Sequence, residues 1–343
     1  MSDALLSALA EALAELVTNV ETCDGAVLDP DTAVKWLEGT AHTLDLLDAA
    51  DRRTLDGLFR EVALRRPPGP RRTELLKVSG GFGLTEDAHA AVCEAVLDRA
   101  RLFAATVRDA DPTTPVPTCP GWSLADLTRH LGTVHRWAEH LVRTRSSTRV
   151  LAREVPLDPP ADPALQPDWL VAGAERFAAV VGAADPDAPV WSPGSDPHVR
   201  HYPRHVLFET LVHLVDAQLA VSGTADPLDP ATAEAAVDHF LREAPYVPRI
   251  AEPLAQLGRD GSALRLTARD TGAVWTLVLG GGGFTWSRSN GASAGVQPAT
   301  GVEADTAGEL LLLLHRRHPA DDPRFTHTGD RGLLDDWLAA TVL

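Results

Sequence analysis

Apolar positions recur every three to four residues along most of this chain, and switch to strand-like alternation only in its last hundred residues. Leu5, Leu6, Leu9, Leu13, Leu16 and Val17 predict an amphipathic helix over 3–20. Asp29-Pro30-Asp31 opens a second helix running to about Leu47. Ala50-Asp51 opens a third, with Leu55, Leu58, Phe59 and Val62 as its apolar set. The loop R-R-P-P-G-P-R-R at 65–72 and G-G-F-G at 80–83 bound this three-helix unit. Helical periods return over 85–109, 123–145, 167–184 and 203–222, followed by a shorter one over 229–244. The connections are Pro-rich, and the one at 155–163 is long enough to cross the end of a bundle, so these segments predict a four-helix bundle. A-L-R-L-T-A-R at 263–269, A-V-W-T-L-V-L at 273–279 and F-T-W-S-R at 284–288 read as strands, with Gly280–Gly283 as a hairpin turn. Helices over 306–317 and 331–340 then close an α+β part. The expected organisation is mainly α: a small helical unit over 1–80, a bundle over 85–245 and an α+β domain over 246–343.

One stretch breaks the simple amphipathic rule. In H-V-L-F-E-T-L-V-H-L-V-D, residues 205–216, the side chains of His205, Glu209, His213 and Asp216 fall within an arc of roughly 80° on a helix. Glu209 and His213, four apart, have the spacing that lets one helix give two ligands to a metal ion. Leu207, Leu211 and Leu214 form an equally apolar opposite face, so the same arc also fits a solvated surface. A third ligand would decide between these readings. Ser123 and Asp126 form a box-like cap on a helix whose core stripe is Leu124, Leu127, Leu131, Val134 and Leu141. His130 lies beside that stripe, as a third ligand or as a packing residue, whereas His135 and His140 point elsewhere and read as surface residues.

Composition narrows the partners. Forty-eight acidic residues against 31 basic give a formal charge of −17, which disfavours nucleic acid and anionic membranes. Cys23, Cys93 and Cys119 are too few and too widely spaced for a disulfide framework or a cysteine zinc knuckle. Cys119 reads as a small packing residue and Cys93 as a core position. The acidic N-terminus and the lack of a long apolar run point to a cytoplasmic protein.

Three stretches resemble the mycothiol-dependent maleylpyruvate isomerase family, whose metal-binding module is a DinB-like four-helix bundle. These are V-P-T-C-P-G-W-S-L-A-D-L-T-R-H-L-G at 116–132, E-T-L-V-H-L-V-D-A at 209–217, and the tail with L-L-L-L-L-H-R-R at 310–317 and G-D-R-G-L-L at 329–334, similar to the end of a sterol-carrier-like domain. The resemblance implies that His130, Glu209 and His213 ligate a divalent metal, zinc being the first expectation. It further implies that Asp216 orients a ligand or solvent molecule, and that mycothiol is the cosubstrate of a thiol transferase or isomerase acting on a small electrophile. Phe208, Leu214 and Val215 depart from the family pattern, which often has His before the glutamate and Arg-Trp after the histidine. Two other functions stay open: a zinc-dependent hydrolase using bound water with Asp216 or Glu209 as proton acceptor, and a non-catalytic binding module that docks through its N-terminal helices.

Overall fold

A computed structural model of the chain describes residues 3–341 apart from positions 26, 45–46, 48, 68, 83, 85–88, 282 and 291–297. It divides into two compact units, Met1–Ala88 and His89–Leu343. The first is helical: α1 (Asp3–Glu21), α2 (Pro30–Leu44), α3 (Ala49–Arg65) and α4 (Pro70–Gly81). The sequence predicts three helices here; the fourth begins inside the loop expected at 65–72 and runs to the glycines expected to bound the unit. Pro70 sits at the helix start, where a missing N–H costs nothing, so the Pro-Gly-Pro stretch opens a helix as well as ending one. The core face of α1 also differs from expectation. Ala10, Ala14 and Val17 are buried against Phe59, Val62, Leu75 and Val78, while Leu5, Leu9 and Leu16 are 50–61% exposed. Small alanines let α3 and α4 approach closely, and Arg66 and Arg71 reach across to Glu15.

The second unit is built on α5 (His89–Val107), α6 (Leu124–Thr144), α7 (Gln166–Gly182) and α8 (His201–Ser222), each packed against two of the others as a four-helix bundle. Positions 85–88 of the expected first bundle helix lie outside the described residues, as do 45–46 of the expected second N-terminal helix. The predicted cap of α6 is present: Ser123 Oγ accepts from the Asp126 N–H at 3.2 Å, and Asp126 Oδ2 accepts from the Ser123 N–H at 3.0 Å. Leu124, Leu127, Leu131 and Leu141 are buried, as the stripe requires.

Helix α8 does not have a wet face. Tyr202, Val206, Phe208 and Val212 enter the larger core, Leu214 and Ala217 enter a second core with Phe103, Val107, Leu127, Leu131 and Leu170, and Asp216 has no exposure. The solvated-arc reading therefore fails for most of this helix, and its polar side chains must be satisfied inside the protein.

Two further helices, α9 (Pro230–Glu243) and α10 (Pro248–Ala255), lead into the sheet. The strands are β1 (Ala263–Ala268), β2 (Ala273–Gly280), β3 (Gly283–Asn290), β4 (Thr300–Ala304) and β5 (Thr326–Gly329), with α11 (Ala307–Leu314) before β5 and α12 (Arg331–Ala340) after it. Their order is β3-β2-β1-β4-β5, antiparallel except for the parallel β1–β4 pair. Gly280 pairs with Gly283 across the expected hairpin turn. Strands β4 and β5 and helix α10 have no counterpart among the predicted elements, because each is too short to show a period. Leu264, Leu266, Trp275, Leu277 and Val302 face α11 and α12 in the same core as α8, and Trp275 Nε1 donates to Asp238 Oδ1 on α9 at 2.6 Å. The protein is thus mainly α with an α+β C-terminal part.

The H-L-G of α6 has a packing reason. A Cβ at Gly132 would lie 2.0 Å from the Trp169 ring of α7, and Arg136, one turn on, stacks over that ring at 3.9 Å and donates to the Trp169 carbonyl at 2.7 Å. Gly132→Ala should destabilise the chain by about 1–3 kcal/mol through overpacking, readable as a lowered midpoint in urea unfolding. An unchanged midpoint would show that Trp169 can move aside freely.

Candidate metal centre

The loop between α5 and α6 is folded back on itself. Val116 N–H donates to the Trp122 carbonyl at 2.9 Å, Trp122 N–H to the Cys119 carbonyl at 3.0 Å, and Leu124 N–H to the Thr114 carbonyl at 3.0 Å. Gly121 takes φ +84°, a left-handed conformation that a side chain would strain. With Val116 buried and Trp122 packed on the second core, this closed turn holds Thr118, Cys119 and Trp122 against α8.

Seven residues after the cap of α6, the His130 ring faces α8. His130 Nε2 is 2.9 Å from Glu209 Oε1, and His213 Nε2 is 3.5 Å from the same oxygen. One donor atom from each of the three lies within 4.8 Å of the others. Trp122 flanks both imidazoles, its ring 5.0 Å from that of His130 and 6.2 Å from that of His213, nearly parallel to the latter. His130 and Glu209 are half-buried, and His213 is buried beneath them. An open recess of about 490 Å³ adjoins His130, lined by Gly121, Trp122, Asp126, Arg129 and Thr133.

The donor set passes a chemical test. Two imidazoles and a carboxylate are borderline ligands suited to zinc, and separations of 2.9 and 3.5 Å bracket the about 3.3 Å edge of a tetrahedron with bonds of about 2.0–2.1 Å. His213 Nδ1 lies 2.7 Å from Asp216 Oδ2, so a neutral ring keeps its proton on Nδ1 and turns the Nε2 lone pair to Glu209 and His130. Burial alone would push the Glu209 carboxyl up, but hydrogen bonds from His130 and His213 outweigh it and hold the group well below the usual carboxylate range. Burial likewise favours a neutral His213, yet its bonds to Asp216, Cys119 and Glu209 prevail and raise its pKa well above that of free imidazole.

A second set, Cys119, His213 and Asp216, is equally close together. It is a poorer cation site. Asp216 already accepts from Thr118 Oγ1 at 2.6 Å, from Arg317 Nε at 2.8 Å and from Arg317 Nη2 at 2.5 Å, and that guanidinium lies 3.5 Å from Cys119 Sγ. A cation there would meet a fixed positive charge and a carboxylate without free lone pairs.

Residues 93–218 match the family model described as the mycothiol maleylpyruvate isomerase N-terminal domain. The match covers 126 of the 343 residues. The matched segment spans α6, α7 and most of α5 and α8, and therefore contains His130, Glu209, His213 and Asp216. No curated protein matches the chain. Among solved structures, the stereoselective inverting sec-alkylsulfatase Pisa1 from Pseudomonas sp. aligns at 15% identity with a TM-score of 0.27. That alignment covers 83% of this chain and 41% of the sulfatase.

Around this domain the structure revises several sequence readings. Phe208, Leu214 and Val215, the departures from the family pattern, are all buried core residues. Cys119 is more than a packing residue, since its Sγ lies 3.4 Å from Asp216 Oδ2. Cys93 is buried as expected, and burial pushes its thiol up to about 12. His135 is not at the surface: it has no exposure, and its Nε2 donates at 2.9 Å to Thr210 Oγ1, whose own proton goes to the Val206 carbonyl. His140 is partly exposed, bonded to Arg143. Arg317 carries no metal-site signal in the sequence, because nothing at the end of α11 announces that its side chain crosses to α8.

His205, on the same stripe as the donors, joins a different group. Its ring stacks on His201 at 5.3 Å and lies 5.8 Å from His239 of α9. Burial is the first cause that keeps all three rings neutral, and it takes His201 down to about 3; repulsion from His205 and Arg242 adds to it at His201, and from His205, His201, Arg242 and Arg204 at His239, whereas Glu209 opposes it at His205. Asp196 and, at 3.8 Å, Glu243 oppose this at His201 only in part. A histidine with a depressed folded pKa contributes stability above about pH 6.5, and that stability is lost as pH falls toward the folded value. The apparent Tm should therefore fall between pH 7 and pH 5, and His239→Leu should flatten that slope in calorimetric scans. An equal slope in the variant would show that these rings titrate normally.

Proposed function

We propose that this chain is a metal-dependent thiol transferase or isomerase, in which a low-molecular-weight thiol, mycothiol by the domain's description, attacks an electrophilic carbon of a small substrate. The observation that carries the reading is the meeting of His130 from α6 with Glu209 and His213 from α8, donor atoms within 4.8 Å, inside a domain of that family. In this reading these three residues hold a zinc-like ion and leave it an open position. Such an ion lowers the pKa of a thiol bound to it and makes the thiol a strong nucleophile at neutral pH.

The chain's own residues do the remaining work. Asp216 holds the His213 ring by its Nδ1–H, which keeps Nε2 aimed at the site. Trp122 walls one side of the two imidazoles and keeps water off them. The recess beyond His130 gives a small substrate access, with Arg129 and Asp126 at its edge. Loss of the thiol after attack yields an isomer, and its retention yields an S-conjugate.

Elemental analysis of the purified chain should find about one divalent metal per molecule, and His130→Ala, Glu209→Ala and His213→Ala should each lose it. With mycothiol and a chromogenic electrophile, the wild type should form the S-conjugate and the metal-free variants should not. Equal conjugation by His130→Ala would remove that residue from the centre. Turnover of an ester without added thiol, abolished by the same substitutions, would replace the transferase reading with a hydrolase.

A further inference from the structure

Toward the N-terminus of α8 from Glu209, two helices face each other with paired donors. His201 and His205 are four apart on α8, and His239 and Glu243 are four apart on α9. At that spacing two side chains share one helix face. The His201 and His205 rings lie 5.3 Å apart between centroids, and the His239 ring lies 6.2 and 5.8 Å from them. Two imidazoles on one tetrahedral ion stand with centroids about 5 Å apart, and those of His130 and His213 are 4.9 Å apart. Glu243 Oε2 is 3.8 Å from His201 Nδ1. The turn before α8 closes over this group, since a Cβ at Gly194 would strike both Glu243 and His201. The His201 side chain is only 2% exposed, and its Nε2 is buried with no hydrogen-bond partner among the described residues. A nitrogen so placed is costly unless something binds it.

We propose that His201, His205, His239 and Glu243 form a second site for a zinc-like divalent ion, distinct from the centre at His130, Glu209 and His213. Three imidazoles and a carboxylate suit such an ion, and four protein ligands make a closed, structural site with no position left for a substrate. The ion ties α9, and with it the entry to the α+β part, to α8. Burial keeps the three imidazoles neutral, which is the form a metal takes. Two features make this site weaker than the first. Its donor atoms are not gathered within 4.8 Å as those of His130, Glu209 and His213 are, so the rings must turn about χ2 to meet an ion, and Arg204 and Arg242 repel positive charge at His239. It therefore fills when zinc is added and not during purification. The two sites share no ligand, so each stands or falls without the other.

The test uses metal-stripped, full-length Glu209→Ala, which lacks the first centre, with circular dichroism to confirm folding. Zinc uptake is measured by competition with a chromogenic chelator, and Tm is read with and without zinc. This variant should take up about one zinc per chain, and its Tm should rise, because the ion binds the folded form. His239→Ala in the same background should take up none. Glu243→Gln keeps the side-chain shape, so it decides the matter where His239→Ala does not fold, and it should bind zinc more weakly with a smaller rise in Tm. Absence of uptake by folded Glu209→Ala overturns the second site; the first centre stands if the wild type then binds one ion, and both fall if it binds none. Uptake that survives His239→Ala, or is unchanged in Glu243→Gln, also overturns the assignment, because the ion then sits elsewhere, as on Cys119, His213 and Asp216. Uptake of one ion by the wild type and by Glu209→Ala alike, lost with His239→Ala, establishes this site and removes the first.

Discussion

A carboxylate without access to water must find its donors within the protein, and Asp216 finds them at three places in the chain. His213 comes from its own helix, Thr118 and Cys119 from the turn before α6, and Arg317 from beyond α11. Each of these segments is thereby tied to one point on α8. Leaving such a group unpaired would cost several kcal/mol, so the turn, the helix and the C-terminal part are constrained together. The proposed metal-ligand geometry sits on that junction: Nδ1 of His213 is committed to Asp216, and only Nε2 is left to face Glu209 and His130.

The surrounding packing explains why α6 and α8 can bring donors together at all. Gly132 leaves the space that the Trp169 ring fills, and Arg136 closes over that ring. On the other side His135 bonds Thr210, a second polar link between α6 and α8 at a level below His130 and Glu209. Leu127, Leu131 and Leu214 fill the space between. Two polar pairs and an apolar layer set the register of the two helices, and the register decides whether His130 reaches Glu209 or misses it.

Nearly the whole helical framework was readable from period alone, because helices of fifteen or more residues show several turns of their apolar stripe. The cap at Ser123 and the hairpin at Gly280–Gly283 were equally local and equally readable. The N-terminal unit shows the limit. Its first helix offers leucines on more than one side, and tertiary packing selected the alanine face; Pro70 started a helix at a place that composition alone marks as a break. His135 was misread for a related reason, since a polar residue on a helix is expected outside unless a partner on another helix, here Thr210, satisfies it.

For the proposed centre, the shared face of Glu209 and His213 followed from the chain directly, because four residues on a helix fix two side chains on one face whatever surrounds them. The addition of His130 depended on a family likeness, and its distance to Glu209 depended on how α6 packs against α8. Arg317 ends one of the stretches that resemble the family, but its contact with Asp216 was not legible there: it is 101 positions away, and only the fold of the α+β part brings it close. Short-range geometry is written in the sequence because covalent and helical spacing are rigid. Which buried charges meet is decided by tertiary structure, since it depends on the summed packing of every element between them.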